Sequence, residues 1–154
     1  MDQTEEKDLG KLFQKSSKTF NEAAPSSLGT ILSIGFMGMA KALKGRTEAE
    51  LPMIAEALSK GVQNIMDKAG SEPGEKTILD AFCPAVRALM ENQDKDADIA
   101  FTAAAKAAAE GSESTKNMKA VHGRAAYYGE GSIGILDGGS VAGKLMFEGI
   151  RNSI

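Results

Sequence analysis

An all-α fold, an antiparallel helical bundle or barrel of about six helices, is predicted for this 154-residue chain by three observations. Successive segments carry apolar residues at helical spacing. Proline and glycine punctuate the chain between those segments. No segment alternates apolar with polar residues as a half-buried strand does, so no sheet is expected. The length suits one domain, residues 1–154, and no repeat or linker divides it.

The first helix is expected over 8–23, with Leu9, Leu12, Phe13, Phe20 and Ala23 on one stripe and a polar gap at Ser16. Pro25 and the serines after it break the pattern, and Ser26 or Ser27 can cap the next helix. That helix, roughly 28–43, is apolar nearly all round, from Leu28 and Ile31 through Phe36 and Met37 to Leu43. Such a pattern belongs to a helix buried in the middle of a bundle. Gly35 and Gly38 would let a neighbouring backbone approach, and the methionines read as core filler. Gly45 closes the helix. Thr47 and Glu50 match a capping box, while Pro52 belongs in a first turn, so the third helix starts between 48 and 52. Its stripe runs from Ile54 through Ala57, Gly61 and Ile65 to Ala69.

The turn GSEPGEKT follows. Thr77 caps a fourth helix with Ile78, Phe82, Val86 and Leu89 inward, and Pro84 predicts a kink or a later start. NQDKDAD places acids at the positive end of a fifth helix, whose alanine run favours helix and close packing and whose Phe101 requires a partner. A last helix is expected over 139–151, with Ala142, Leu145, Met146, Gly149 and Ile150 on one face.

A net charge of -3 argues against a general nucleic-acid binder. Cys83 is the one cysteine, so no internal disulfide forms and a reducing compartment is favoured. The opening MDQTEEKD is unlike a signal peptide, and the most apolar run, Ile31–Ala40, is too short to span a bilayer. A cytoplasmic protein without membrane or nucleic-acid partners is expected.

Between Gly111 and Gly143 the helical periodicity stops. This stretch holds the only histidine, His122, both tyrosines, Arg124, Asp137 and a dense set of glycines. An irregular segment this long in a helical domain is more often functional than a mere connection. Gly129, Gly131 and Gly134 spell GxGxxG, but helices rather than a strand precede them, so a dinucleotide fingerprint is rejected. Gly138 to Lys144 spells GxxxxGK, but Leu145 stands where a P-loop needs Ser or Thr. His122 has no second His or Cys beside it for zinc, and no spacing supports a nucleophilic triad; no catalytic residue and no metal ligand is assigned. Three loops remain, SSLGT, GSEPGEKT and GRAAYYGEGSIGILDGG. In an up-and-down bundle, loops separated by an even number of helices fall at one end, so these are expected to line one mouth.

The order PGEKTILDAFCPAVRAL, then AAAKAAAEGSESTKNMKAVHGRAAYYGEGSIGILDGGS, resembles the nucleotide-binding L subunit or domain of dihydroxyacetone kinases. DLGKLFQKSSKTF and SSLGTILS fall in register with further family segments. The resemblance implies a truncated form of an eight-helix barrel holding ADP or ATP at one end. It places Ser27, Leu28 and Gly29 near the phosphates, Ala69 and Ile78 beside the adenine with Thr77 next to them, and Arg124, Asp137, Gly138 and Gly139 at further nucleotide contacts. It implies transfer of a phosphoryl group to dihydroxyacetone or a similar small hydroxyketone or polyol, together with a K-type partner subunit. The phosphoryl donor is ATP or a subunit of a phosphotransferase relay.

Departures from the family pattern shape these expectations. The family's GDGDHG segment, whose aspartates hold magnesium, has no counterpart in the 154 residues, so magnesium enters only if another segment supplies that loop. Little or no kinase activity is expected of the chain alone. GGASG reads PSSLG, DPG reads DGG, GRAS reads GRAA, and Ala69 and Ile78 replace a glycine and a methionine. Lack of the family's first helix would leave apolar faces open on the first and last helices, favouring a homodimer or pairing with a kinase subunit across them. Three readings stay open: an L-type kinase component, a catalytically degenerate binding or regulatory module, and a bundle that oligomerises through that seam.

Overall fold

The computed structural model describes residues 5–154. Among them the chain is helical with no strand: α1 Leu9–Ala23, α2 Ser27–Ala42, α3 Leu51–Ala69, α4 Leu79–Glu91, α5 Ala97–Ser114 and α6 Gly138–Asn152, with two 3-10 segments, Thr115–Asn117 and Arg124–Ser132. The expected six-helix, all-α architecture is what forms. No helix among the described residues is long and apolar enough to cross a membrane. The chain separates into two compact units, one running to Gly70 and the other covering Ser71–Ile154.

In the first unit α2 packs antiparallel against α1 and α3. Asp8 caps α1 by accepting from Lys11 N at 3.1 Å, and it also accepts from Gly45 N, which ties the start of α1 to the α2–α3 turn. Phe13 and Phe20 flank Phe36 of α2, with ring centroids 5.8 and 5.3 Å away. The polar gap expected at Ser16 is half-buried, its hydroxyl donating to Leu12 O at 3.0 Å, and the serine that faces inward is its neighbour Ser17, which donates to Ser33 O at 2.8 Å. Burial without loss of hydrogen bonding removes the cost of the gap. Ser26, not Ser27, caps α2, accepting from Gly29 N at 3.1 Å.

α2 is not enclosed on all sides as its composition suggested. Leu32, Ala40 and the glycines 29, 35 and 38 are buried, while Ile31, Ile34, Phe36, Met37 and Met39 stay half-exposed. The glycines decide which face is inward. A Cβ on Gly38 would lie 2.9 Å from Gly61 Cα of α3, so the two backbones meet where neither residue carries a side chain. Asn64 Nδ2 adds a bond to Ile34 O at 2.7 Å across this contact. The Thr47–Glu50 capping box does not form. Glu50 occupies the cap position without a side-chain bond, and Pro52 in the first turn sets the start of α3.

The second unit is a three-helix bundle in which α5 runs antiparallel to α4 and α6. Leu79, Phe82, Val86 and Leu89 of α4 meet Ala100, Phe101, Ala104 and Ala108 of α5, all buried. Pro84 sits within α4 and starts no new helix. It withholds the N–H that Asp80 O would otherwise receive. Gly111 of α5 packs at that carbonyl, so close that a Cβ there would stand 2.0 Å from Asp80 O. α5 therefore continues through Gly111, where sequence periodicity appeared to end. The inward face of α6 also differs from expectation: Phe147 is 3% exposed and stacks edge-on against Phe82 at 5.9 Å, whereas Leu145 is 57% exposed. Gly143 selects this face by admitting Ile78, Ala81 and Phe82 to within 3.1–3.2 Å of where its Cβ would be.

Candidate functional site

Within the second unit, a tight turn over 70–78 and the irregular chain over 115–139 are built into one another. The turn is shaped by Asp80, a buried carboxylate in the first turn of α4. It accepts from Gly74 N at 2.5 Å and Thr77 N at 2.7 Å. Thr77 Oγ1 in turn accepts from Leu79 N at 3.2 Å. Thr77 and Asp80 thus act as a reciprocal cap, the physics behind a [ST]-x-x-[DE] signature. Sequence reading identified the threonine but not its carboxylate partner. Lys76, immediately before Thr77, has φ 63 and is the one non-glycine residue with positive φ among the described residues. A lysine held there costs about 1–3 kcal/mol of backbone strain, which the surrounding bonds must offset.

The side chain of Lys76 supplies those bonds. Its Nζ donates to Thr115 O at 2.9 Å, Ser132 O at 2.6 Å, Met118 O at 3.3 Å, and to Ile135 O. Beneath this cluster lie three buried hydroxyls. Ser112 Oγ and Ser140 Oγ are 3.0 Å apart, and Thr115 Oγ1 donates to Ser112 O at 2.6 Å while accepting from Asp137 N at 3.1 Å. Asp137 caps α6, its Oδ2 accepting from Ser140 N at 2.7 Å. Burial raises the pKa of Asp137 above the usual carboxylate value and the charge of Asp80 adds to this; the N–H of Ser140, Lys76 and the N–H of Gly139 pull the other way.

A carboxyl whose pKa is raised on folding contributes stability below its ordinary value, about 3.9, and that contribution fades as pH rises through the shifted one. Asp137→Asn keeps a capping side chain and removes the titration. Its stability relative to wild type is therefore expected to improve as pH rises from about 3.9 upward. Urea unfolding of both proteins across that range checks this; a difference independent of pH would contradict it.

The structure brings five of the expected residues together: Thr77, Ile78, Asp137, Gly138 and Gly139. A Cβ on Gly139 would lie 3.3 Å from Ile78 N, whereas Gly138 has nothing within 4 Å of that position. The start of α6 therefore has close-packed backbone on one side and open backbone on the other. Ile78 itself is buried, against Gly143. Arg124 is exposed at the start of its 3-10 segment. In the first unit, Ser27, Leu28 and Gly29 form the first turn of α2 and not a free loop, and exposed Ala69 ends α3 before the left-handed cap Gly70. His122 Nε2 lies 2.7 Å from Glu75 Oε2 and joins the exposed edge of the loop to the turn. The N–H of Glu72, then the bond to His122, hold Glu75 below the usual carboxylate range.

A nucleotide fits this setting in one respect and a divalent cation does not. Open backbone at a helix N-terminus, next to a threonine hydroxyl, suits the oxygens of a phosphate or ribose. No three His, Cys, Asp or Glu side chains converge among the described residues. Both oxygens of Asp80 already accept backbone N–H groups, which fixes that carboxylate within the turn. Burial, then Asp80, push the Cys83 thiol up to about 11, which lowers its thiolate fraction at neutral pH. Neither glycine pattern forms its nucleotide motif. Gly129 is a positive-φ kink between two 3-10 turns, Gly131 follows in the second of them, and Gly138–Lys144 is regular helix.

The model of the DAK2 domain matches residues 1–152. The chain is 28% identical over 145 residues to the ADP-binding subunit DhaL of the PEP-dependent dihydroxyacetone kinase of Escherichia coli, covering 93% of this chain and 69% of that one. It is 31% identical over 140 residues to the corresponding subunit of kinase 1 of Listeria innocua, covering 91% and 66%. The dihydroxyacetone kinase of C. freundii, solved in complex with AMP-PNP and Mg2+, superposes with a TM-score of 0.70 at 26% identity, over 96% of this chain and 24% of that one.

Proposed function

The chain belongs to the DAK2 domain family, and from that premise we propose that it is the ADP- or ATP-holding L component of a dihydroxyacetone-kinase-type phosphotransferase. The observation that carries this reading is the packing of the PGEKT turn against the DGG start of α6, with Gly139 set against Ile78 N and Gly138 left open. The substrate class is dihydroxyacetone or a similar small hydroxyketone or polyol, held by a K-type partner subunit. A phosphotransferase subunit is the proposed donor where ADP stays bound as a cofactor.

In this reading the N–H of Gly138 and the hydroxyl of Thr77 bind nucleotide oxygens, Gly139 lets the backbone approach the ligand, and exposed Arg124 adds a charge-assisted bond to phosphate. Ile78 is the buried support that fixes Thr77 against Gly139 beside the base. For the first unit, taken by itself, the family pattern proposes Ser27, Leu28 and Gly29 at the start of α2 and Ala69 as nucleotide contacts. Ser27 and Leu28 open a 16-residue helix whose N-terminal end favours an anion, while Ser26 Oγ takes the N–H of Gly29. Magnesium, in the reaction, neutralises charge on the phosphoryl oxygens; carboxylates of another segment would have to hold it, since Asp80 and Asp137 serve as caps.

Calorimetry with ADP and magnesium on the purified chain tests the proposal. Saturable binding is expected, weakened about tenfold or more in Arg124→Ala through loss of a charge-assisted bond. Absence of heat and of any thermal shift at millimolar ADP would overturn it.

A further inference from the structure

We infer that Lys76 is a positioning residue that holds the loop bearing Arg124 and Asp137 in shape, and that it is not a nucleotide ligand. A lysine followed by threonine at the end of a glycine-bearing turn invites the opposite assignment, because P-loops end in GK[ST] and use that lysine on phosphate. The geometry here excludes it. Lys76 is 5% exposed, and its ammonium has three N–H groups directed at four backbone carbonyls. Nothing remains for a ligand.

Those carbonyls belong to Thr115, Met118, Ser132 and Ile135, so they bracket the irregular chain and end two residues before Asp137. Val121, Tyr127, Tyr128, Ile133, Ile135 and Leu136 all point outward, Tyr127 being 91% exposed, so apolar burial does not fold that chain. Its other ties to its surroundings are Gly134 N to Lys116 O at 2.6 Å, Val121 N to Glu75 O at a long 3.4 Å, Asp137 N to Thr115 Oγ1 at 3.1 Å and the His122–Glu75 pair at its exposed edge. Ser132 Oγ adds one, accepting from Ala120 N at 3.0 Å. The loop thus has a cation at its centre where a core would have side chains. Only the charged form supplies three donors, and a buried ammonium with four carbonyl partners is satisfied in a way a lone buried charge is not. Asp137 lies within the field of this charge, which favours its ionised form.

Lys76→Gly is the informative variant. Glycine accepts φ 63 without strain, so the change removes the ammonium and leaves the turn's backbone content. Amide hydrogen exchange is measured on the ligand-free chain, with n-butylammonium or n-butanol added in parallel. Expected is at least about a tenfold loss of protection over 118–137 with α5 unchanged, because several charged hydrogen bonds go at once. Butylammonium restores protection and butanol does not. Unchanged protection in Lys76→Gly, or equal rescue by butanol, overturns the inference. So does collapse of α5 protection together with the loop in both Lys76→Gly and the near-isosteric Lys76→Met, which would make Lys76 a general stability residue. The consequence for nucleotide affinity rests on the reading above, but loop order does not. A chain that fails to bind ADP yet shows the exchange pattern defeats only the former.

Discussion

Gly111→Ala is expected to destabilise the second unit by about 3 kcal/mol, the upper part of the range for inserting a methyl group where no space exists. The added Cβ would sit 2.0 Å from Asp80 O and 2.8 Å from Pro84 Cγ. Neither neighbour is the tip of a flexible side chain. One is helix backbone and the other a ring in that backbone, so relief requires α4 and α5 to part. Alanine is the better helix former by about 1 kcal/mol, and the contact must overcome that gain. Separation of the helices would also shift Asp80, which holds the 74–77 turn. Gly149→Ala, within α6 and with nothing within 4 Å, is the control and should stabilise by about 0.5–1 kcal/mol. Urea unfolding measures both. A Gly111→Ala protein as stable as wild type would show that the close approach of α4 and α5 is absent.

Asp80→Ala is expected to cost about 3 kcal/mol, because it removes a buried carboxylate acceptor from two backbone N–H groups, each such charged bond contributing about 1.5–3 kcal/mol. The estimate lies at the low end of the sum because Gly74 is exposed and water can replace one partner. Thr77 N is deeper and is left without its acceptor. A second readout separates this from general loosening. The Asp80 charge raises the Cys83 thiol, so Asp80→Asn, which keeps an acceptor and the shape, should speed alkylation of Cys83 at neutral pH. A thermal midpoint unchanged in Asp80→Ala, together with unchanged Cys83 reactivity in Asp80→Asn, would contradict the assigned role.

Lys76 and Asp80 show why part of the site escaped sequence reading. Both are charged residues close to an apolar helix, and charges in such places usually face water. Thr77 and Asp80 did carry a legible signal, a threonine followed three residues later by an acid. Lys76 carried none of its own, because its four partners are backbone carbonyls 39 to 59 positions downstream. Carbonyls have no sequence identity, so no pattern of residue types reports that they converge.

Element existence and type were legible because they follow from local physics. Helical spacing, proline and glycine breaks, and capping residues placed α1 and α6 within one residue of their ends. The family and its glycine-bearing motifs were legible as well, since motif order is a property of the chain itself. What tertiary structure decided was which side of each helix faces in. α6 turned Phe147 inward and Leu145 outward although both fit an amphipathic pattern, because Gly143 lets Ile78, Ala81 and Phe82 approach. α2 likewise presented its glycines to α3 and left larger apolar side chains half-exposed. Periodicity reports that an apolar stripe exists. The face is chosen by how closely two backbones can approach, a steric quantity that depends on the absence of a side chain on one helix and on what the neighbouring helix places opposite it.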